Sequence, residues 1–423
     1  MNKQKIISLA FFVVTFAPTV NAQQITVSNG LPADRRDELI VISRKLVTSK
    51  LTTLKESEYI RLSDAQGKDQ ILQFDDLDRD GKWDEVVFLC NFKPLENAVF
   101  HIRAVKKVAK KTGLNRAHVR QRRKNADDKF GVQLLIDSVP RGQLSTDFSK
   151  HALPPLLTEG PAWENDKVGF RIYMDVRNIK DIWGKLTPNM VLDTVGTDPN
   201  VIYHHLDSWG MDILAVGKSL GAGSLALRLQ QQNGIDTLVR LGGKNMGEIR
   251  YQQIADGPVR AVFKLIYPQW NVLPYLAPTH LEEEISIWGG QYFYQSKVTL
   301  THAPDAASLV SGIVNLKSKT SYLFKDAQAT ALYTYDVQSE NNDALGLAIM
   351  TTNKVKTTGV TPNECSDVLN TYTIDFLLSG NEPIVTRFYA SWSLSDKRFK
   401  DLAGYKKYIK EELSKQNNPI IIQ

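Results

Sequence analysis

Alternation of apolar and polar side chains, repeated along most of its length, is what most constrains this sequence. Val259, Ala261, Phe263, Leu265 and Tyr267 share one parity, while Arg260 and Lys264 take the other. Successive side chains of a strand point to opposite faces, so this pattern fits an antiparallel strand with one buried face. The same period, or a short apolar run closed by Gly, Pro, Asp or Asn, predicts strands at 38–42, 70–74, 83–92, 99–105, 132–139, 169–176, 211–216 and 224–229. It continues at 237–241, 259–267, 283–288, 292–300, 331–337, 345–351, 372–378 and 385–392. Helical spacing is convincing only near the end, where Phe399, Leu402, Tyr405, Ile409 and Leu413 recur between lysines and glutamates. The expected fold is therefore all-β: a large antiparallel β-sandwich with few helices and a C-terminal amphipathic helix. Strands and helices do not alternate regularly, which argues against a doubly wound nucleotide-binding fold. No nucleotide or organic cofactor is expected.

The first 22 residues read differently. Lys3 and Lys5 precede the twelve-residue apolar run Ile6–Ala17, and Val20-Asn21-Ala22 supplies small residues for cleavage. That is the layout of a secretory signal peptide, too short to span a bilayer, which takes roughly 20 apolar residues. A secreted, periplasmic protein without membrane insertion is expected. The remainder divides at a soft boundary into a β region at 23–125 and a main sandwich at 126–423, which can equally form one continuous domain. Two cysteines, Cys90 and Cys365, are compatible with one disulfide or with two buried thiols, and neither has zinc-ligand spacing.

The formal charge is +6, unevenly spread. Ten Lys or Arg residues and no acid lie between Arg103 and Lys124. Such a block suits an acidic partner, or simply faces water. Secretion argues against nucleic acid.

Two short motifs carry recognisable chemistry. Asp76, Asp78, Asp80 and Asp84 alternate around Gly81, a spacing that can wrap oxygen ligands around one structural calcium ion. The twelfth loop position is Val87 where an EF-hand needs glutamate, so an EF-hand is excluded. The alternative is an Asp/Gly turn capping its own backbone. Gly217-Lys218-Ser219-Leu220-Gly221 matches G-x-S-x-G, but a β-like run follows it where a nucleophile elbow needs a helix. An esterase using Ser219 is thus a minor alternative.

Two segments concentrate aromatic and charged residues. Residues 159–173 include Trp163, Glu164, Asp166 and Arg171; residues 203–212 include Tyr203, His204, His205, Trp209 and Asp212. Tryptophan beside acids, histidines and arginine is what a sugar site uses, with aromatic plates for ring faces and charges for hydroxyls or carboxylates. His204 is the candidate base or acid, with Glu164 as its partner. Arg171 and Lys218 are candidates for a substrate carboxylate, and Trp163 and Trp209 for stacking. Asp166, Tyr203, His205 and Asp212 complete the binding set. Glu283, in phase with Ile285 and Ile287, is a further possible buried acid.

The runs DDLDRDGKWDEVVFL, EGPAWENDKVGFRIYMDVRNIKDIWGK and YHHLDSWGMDILAVGKSLGAGS resemble a family of secreted bacterial proteins, domain of unknown function 4861. The resemblance covers about Leu72 to Trp392. It implies a setting among pectin- and uronate-degrading enzymes and carries no catalytic assignment. The long antiparallel strands also resemble the galactose-mutarotase-type supersandwich of epimerases, polysaccharide lyases and some glycosidases. The resulting expectation is a carbohydrate-active enzyme acting on a uronate-containing oligosaccharide, by lyase or hydrolase chemistry ahead of epimerisation. A non-catalytic protein that binds acidic glycans is the alternative.

Overall fold

The computed structural model describes residues 23–108, 115–230, 236–326, 328–361 and 367–423. The signal-peptide assignment at 1–22, Lys110, Lys111 and Cys365 all fall outside them. Strand pairing is antiparallel throughout the described residues, and the expected β-sandwich with a C-terminal helix is what the chain forms.

A nine-stranded sheet runs from the edge strand Ser321–Lys325 to the edge strand Ile136–Val139. One face packs on two five-stranded sheets. The first is built from Ala117–Arg120, Ala162–Asn165, Val168–Ile172, Lys180–Lys185 and Gly210–Asp212, and the second contains Ala222–Gln230 and Ser308–Val314. The alternation legible at 259–267 is realised here: Phe263 and Leu265 enter the shared core with Trp163, Phe170, Leu227 and Leu309. The other face of the long sheet is covered by the helix Leu402–Asn417, through Tyr405, Tyr408, Ile409 and Leu413. Asp401 caps this helix, accepting from the Gly404 amide at 2.8 Å. At Gly346 the helix comes so close that a Cβ would lie 2.4 Å from the Tyr405 ring.

A smaller pair of sheets precedes these layers. Gln23–Ser28, Asn97–Val105 and Tyr59–Asp64 form one with the C-terminal strand Ile421–Ile422; Arg35–Ser43, Glu85–Phe92 and Gln73–Asp75 form the other. Ile25, Val27, Ile40, Phe88 and Phe100 fill the space between them. Cys90 packs at the edge of this core as a free thiol, and burial pushes it up to about 12.

Candidate functional site

The five-stranded sheet that begins at Ala117 has an unusual outer face. Its inward positions, Val119, Trp163, Phe170, Ile182 and Met211, belong to the main core. By alternation the other parity places Glu164, Arg171, Asp181, Lys185 and Asp212 outward, yet each of these is buried. Residues 186–209 are the reason. They contain no helix or strand beyond an isolated Asp207–Gly210 bridge, and they lie over this face. Loops longer than about 12–15 residues without structure of their own are uncommon in compact domains and are commonly functional.

The cover is fastened by charge. Glu164 Oε1 accepts from the amides of Val191 at 2.7 Å and Leu192 at 2.8 Å. Its other oxygen pairs with Lys185, whose ammonium also donates to the carbonyls of Asn165 and Asn189, each at 2.7 Å. Burial holds the Lys185 ammonium below its ordinary range, against the pull of Glu164. Nearby, Arg120 is wholly buried and donates to the carbonyls of Leu157, Gly160 and Leu192. That burial lowers it to about 9. His118 holds the same cover from the side, between Asp256 at 3.0 Å and Asp193 at 3.3 Å. Burial pulls it down, but the bonds to Asp193 and Asp256 outweigh that and raise it to about 10.

A second cluster lies at the other end of the cover. Arg171 sits directly opposite Asp181 in the strand register. Its guanidinium reaches Asp181 at 2.9 Å, Asp212 at 2.6 Å and the Tyr173 hydroxyl at 2.7 Å, and lies 4.7 Å over the Trp183 ring. Burial and the neighbouring Asp181 charge drive the Asp212 carboxyl well above the usual range, while Arg171 opposes them. His204 approaches from solvent, half exposed, with Nδ1 3.3 Å from Asp212 Oδ2. Burial, then the Arg171 charge, lowers the His204 imidazole below 6.5. Gly210 sets this geometry: its φ is +130° and a Cβ would lie 1.8 Å from the Gly184 carbonyl oxygen. Beside His204, Tyr203 packs at a ring distance of 4.6 Å and faces a cavity of about 260 Å³ also lined by Trp209, Asp207 and Thr194.

These positions redistribute the expected site residues. His204, Asp212, Tyr203 and Trp209 come together, and His205 is an exposed neighbour in the same loop. Glu164 cannot partner His204, because its carboxylate is buried and saturated by the cover. Trp163 cannot stack on a sugar: it is fully buried against Phe170, Phe263 and Tyr294. Arg171 does not face a substrate carboxylate, since two aspartates hold it inside. Asp166 binds Arg116 at 2.7 Å and the Gly290 amide at 2.6 Å, so it joins elements and does not line the cavity. Lys218 is exposed on the loop after Val216. Ser219 is no nucleophile: it is fully buried, donating to the Val216 carbonyl at 2.6 Å and accepting from the Gly221 amide at 2.8 Å. Glu283 is a buried partner of Lys180 at 2.7 Å.

Sequence inspection missed Asp181, Tyr173, Lys317 and Glu340. Glu340 reaches the site because its amide donates to the Ile213 carbonyl at 2.9 Å, and its side chain pairs with Lys317 at 2.8 Å. Only Asp181 had a local signal, ten residues beyond Arg171 across a hairpin. In the Asp-rich loop, carboxylate oxygens of Asp76, Asp78 and Asp84 lie within 4.8 Å of one another. Asp80 stands outside that group, with its oxygen accepting from the Lys82 amide at 2.8 Å.

Residues 27–422 match the family model described as a domain of unknown function, DUF4861. The chain belongs to the DUF4861 family. A protein of Formosa agariphila described as uncharacterized protein P7 is 26% identical over 420 residues, covering 94% of this chain and 92% of the relative. Two Enterococcus faecalis structures are similar in fold. An α-mannosidase aligns at TM-score 0.50 and 9% identity over 95% of this chain and 46% of its own. A protein in glycosyl hydrolase family 38 aligns at TM-score 0.52 and 9% identity over 96% and 48%. This DUF4861 chain thus spans about half the length of both. No helix among the described residues of this family member is long and apolar enough to cross a membrane.

Proposed function

We propose that this DUF4861 protein is a periplasmic carbohydrate-active enzyme that breaks a linkage in a uronate-containing oligosaccharide, with His204 as general base. The carrying observation is the approach of His204 to Asp212: one ring nitrogen of this half-exposed histidine lies 3.3 Å from a buried carboxyl, next in sequence to Tyr203, which lines the aromatic cavity. An imidazole held in one orientation and neutral at neutral pH can accept a proton. In an elimination, His204 removes the proton on the carbon next to the uronate carboxylate. The glycosidic oxygen leaves from the adjacent carbon, a C=C bond forms between the two, and the leaving oxygen is protonated from solvent or the Tyr203 hydroxyl. Hydrolysis fits less well, because a glycosidase uses two carboxyl groups flanking the bond. Here Asp181 and Asp212 both turn inward onto Arg171. Likeness in fold to an α-mannosidase and to a glycosyl hydrolase family 38 protein supports a sugar ligand without specifying it.

Incubation with saturated and unsaturated uronate oligosaccharides, followed by mass spectrometry and ultraviolet absorbance, tests this reading. A cleaved product with new C=C absorbance is expected. Retention of the sugar without any product would leave a non-catalytic glycan-binding protein, whose binding face would be the Tyr203–Trp209 cavity. The pH profile gives an independent check. A general base works deprotonated, so activity is expected to fall as pH drops through the His204 pKa, which burial and then the Arg171 charge hold below the ordinary imidazole value. An acidic limb above that value would assign the base elsewhere.

A structural calcium ion belongs to the same proposal, held by Asp76, Asp78 and Asp84. Calcium at a hundredfold excess over its dissociation constant is expected to stabilise chelator-treated protein by about 2.7 kcal/mol. An unchanged melting temperature at millimolar calcium would reduce the loop to a self-capped turn.

A further inference from the structure

The basic block between Arg103 and Lys124 divides in the structure. Its later members are spent internally: Arg116 on Asp37 and Asp166, Arg120 on carbonyls, Arg123 on Asp137 and Lys124 on Asp128. Its earlier members are not. Arg103, Lys106 and Lys107, with Lys68 from the neighbouring turn, form no ion pair with any acid among the described residues, and all four side chains border one place. That place is the junction between the N-terminal sheets and the nine-stranded sheet. Two clefts of about 630 and 680 Å³ open there, sharing Leu72, Lys107, Val108 and Pro258. Each falls within the ~300–1,000 Å³ of a ligand site. Neither is lined by His204, Tyr203 or Trp209.

The lining is specific in kind. Aliphatic side chains, among them Ile60, Leu62, Leu89 and Val259, floor the first cleft, and Arg61, Lys68, Arg103 and Lys107 stand around them. Asp69 and Asp37 are the acids of this cleft, and both are paired, with Arg61 and Arg116. The second cleft adds Lys106 and an edge-to-face pair, Tyr59 and Phe74, with rings 5.0 Å apart; of its acids, Asp75 is paired with Arg260 and Asp256 with His118, while Asp76 belongs to the Asp-rich loop at its rim.

From this we infer a second binding site, separate from the His204 cluster, for an extended polyanionic glycan. Sugar rings present apolar C–H faces to an aliphatic floor, while their carboxylates or sulfates meet the cations at the wall. Continuity of the two clefts suits a chain with repeated charge better than a single small anion. Single-stranded nucleic acid fits less well, because its binding relies on successive aromatic platforms and the first cleft has none. Because the site stands on the junction alone, it holds whether or not His204 turns a substrate over.

Titration calorimetry at low salt with the full chain tests it, using oligogalacturonate, a neutral malto-oligosaccharide and a single-stranded oligonucleotide of matched charge. Oligogalacturonate is expected to bind, with affinity falling as salt rises. The triple variant Lys68→Ala, Arg103→Ala, Lys107→Ala is expected to bind at least about tenfold more weakly, since each charged hydrogen bond contributes more than ~1.4 kcal/mol. Its melting temperature should match the parent, because these are exposed side chains. His204→Ala should bind as the parent does, which separates this site from the catalytic reading. Equal affinity in the triple variant, equal binding of the neutral sugar or the oligonucleotide, or no binding by the parent chain would each overturn it.

Discussion

His204→Ala is expected to lower turnover of a uronate oligosaccharide by about 10²- to 10⁴-fold, the usual contribution of a positioned acid–base group. The fold should not notice. His204 is half exposed and its one polar contact is the 3.3 Å approach to Asp212, so stability should stay within about 0.5 kcal/mol. Arg171 still holds Asp212 after the substitution, which keeps the buried cluster neutralised. Asp212→Asn is the complementary test. It removes the carboxyl beside the ring and one of the two carboxyl partners of Arg171, so it should reduce both turnover and stability. Comparison of initial rates and melting temperatures for the two variants separates the roles. Full activity in His204→Ala would reject the base assignment outright.

Lys185→Met should be the most destabilising of these changes, by about 3–5 kcal/mol, because it leaves the Glu164 carboxylate buried and unpaired. The effect has a location as well as a size. Lys185 and Glu164 together hold Asn189, Val191 and Leu192, the start of the cover over the sheet. Loss of the ammonium should therefore speed hydrogen exchange at the Val191 and Leu192 amides before it unfolds the sandwich. The double variant Lys185→Met, Glu164→Gln should recover part of the loss. Gln keeps a carbonyl oxygen for those two amides and removes the unpaired charge. Chemical denaturation of the single and double variants measures this directly. A Lys185→Met variant as stable as the parent would show that the cover is held by its apolar contacts alone, through Trp183, Leu192 and Val195.

Much of the fold was legible in the residues because its causes are local. Alternation at Val259–Tyr267 predicted a half-buried strand; Arg260–Trp270 forms the strand, but Arg260 on its other face is buried too, against Asp75 and Glu85. The spacing from Phe399 to Leu413 predicted a helix, and Leu402–Asn417 forms one. The site was legible only in part. Tyr203, His204, Trp209 and Asp212 come together because they lie in one short loop and the strand it enters. Trp163, Glu164 and Arg171 had the residue types of a sugar site but occupy the wrong environments. Parity puts Trp163 on the core face, and it places Glu164 and Arg171 on an outer face that residues 186–209 then bury. No periodicity announces that a structureless segment will fold back over its own sheet.

What this sequence determined by itself is therefore the antiparallel class, the terminal helix and many of the strands, though not those at Gln23–Ser28, Tyr59–Asp64, Lys180–Lys185, Ile249–Asp256 or Ser308–Val314, since side-chain period and turn residues act over a few positions. Only the tertiary structure decided which charges are spent. Arg171 lies between Asp181 and Asp212, and Lys185 against Glu164, while Arg103 and Lys107 stay at a cleft. A charge buried by packing must find a counter-charge or change its protonation, whereas an exposed one need not. That choice depends on neighbours brought from distant parts of the chain, and spacing along the sequence does not contain it.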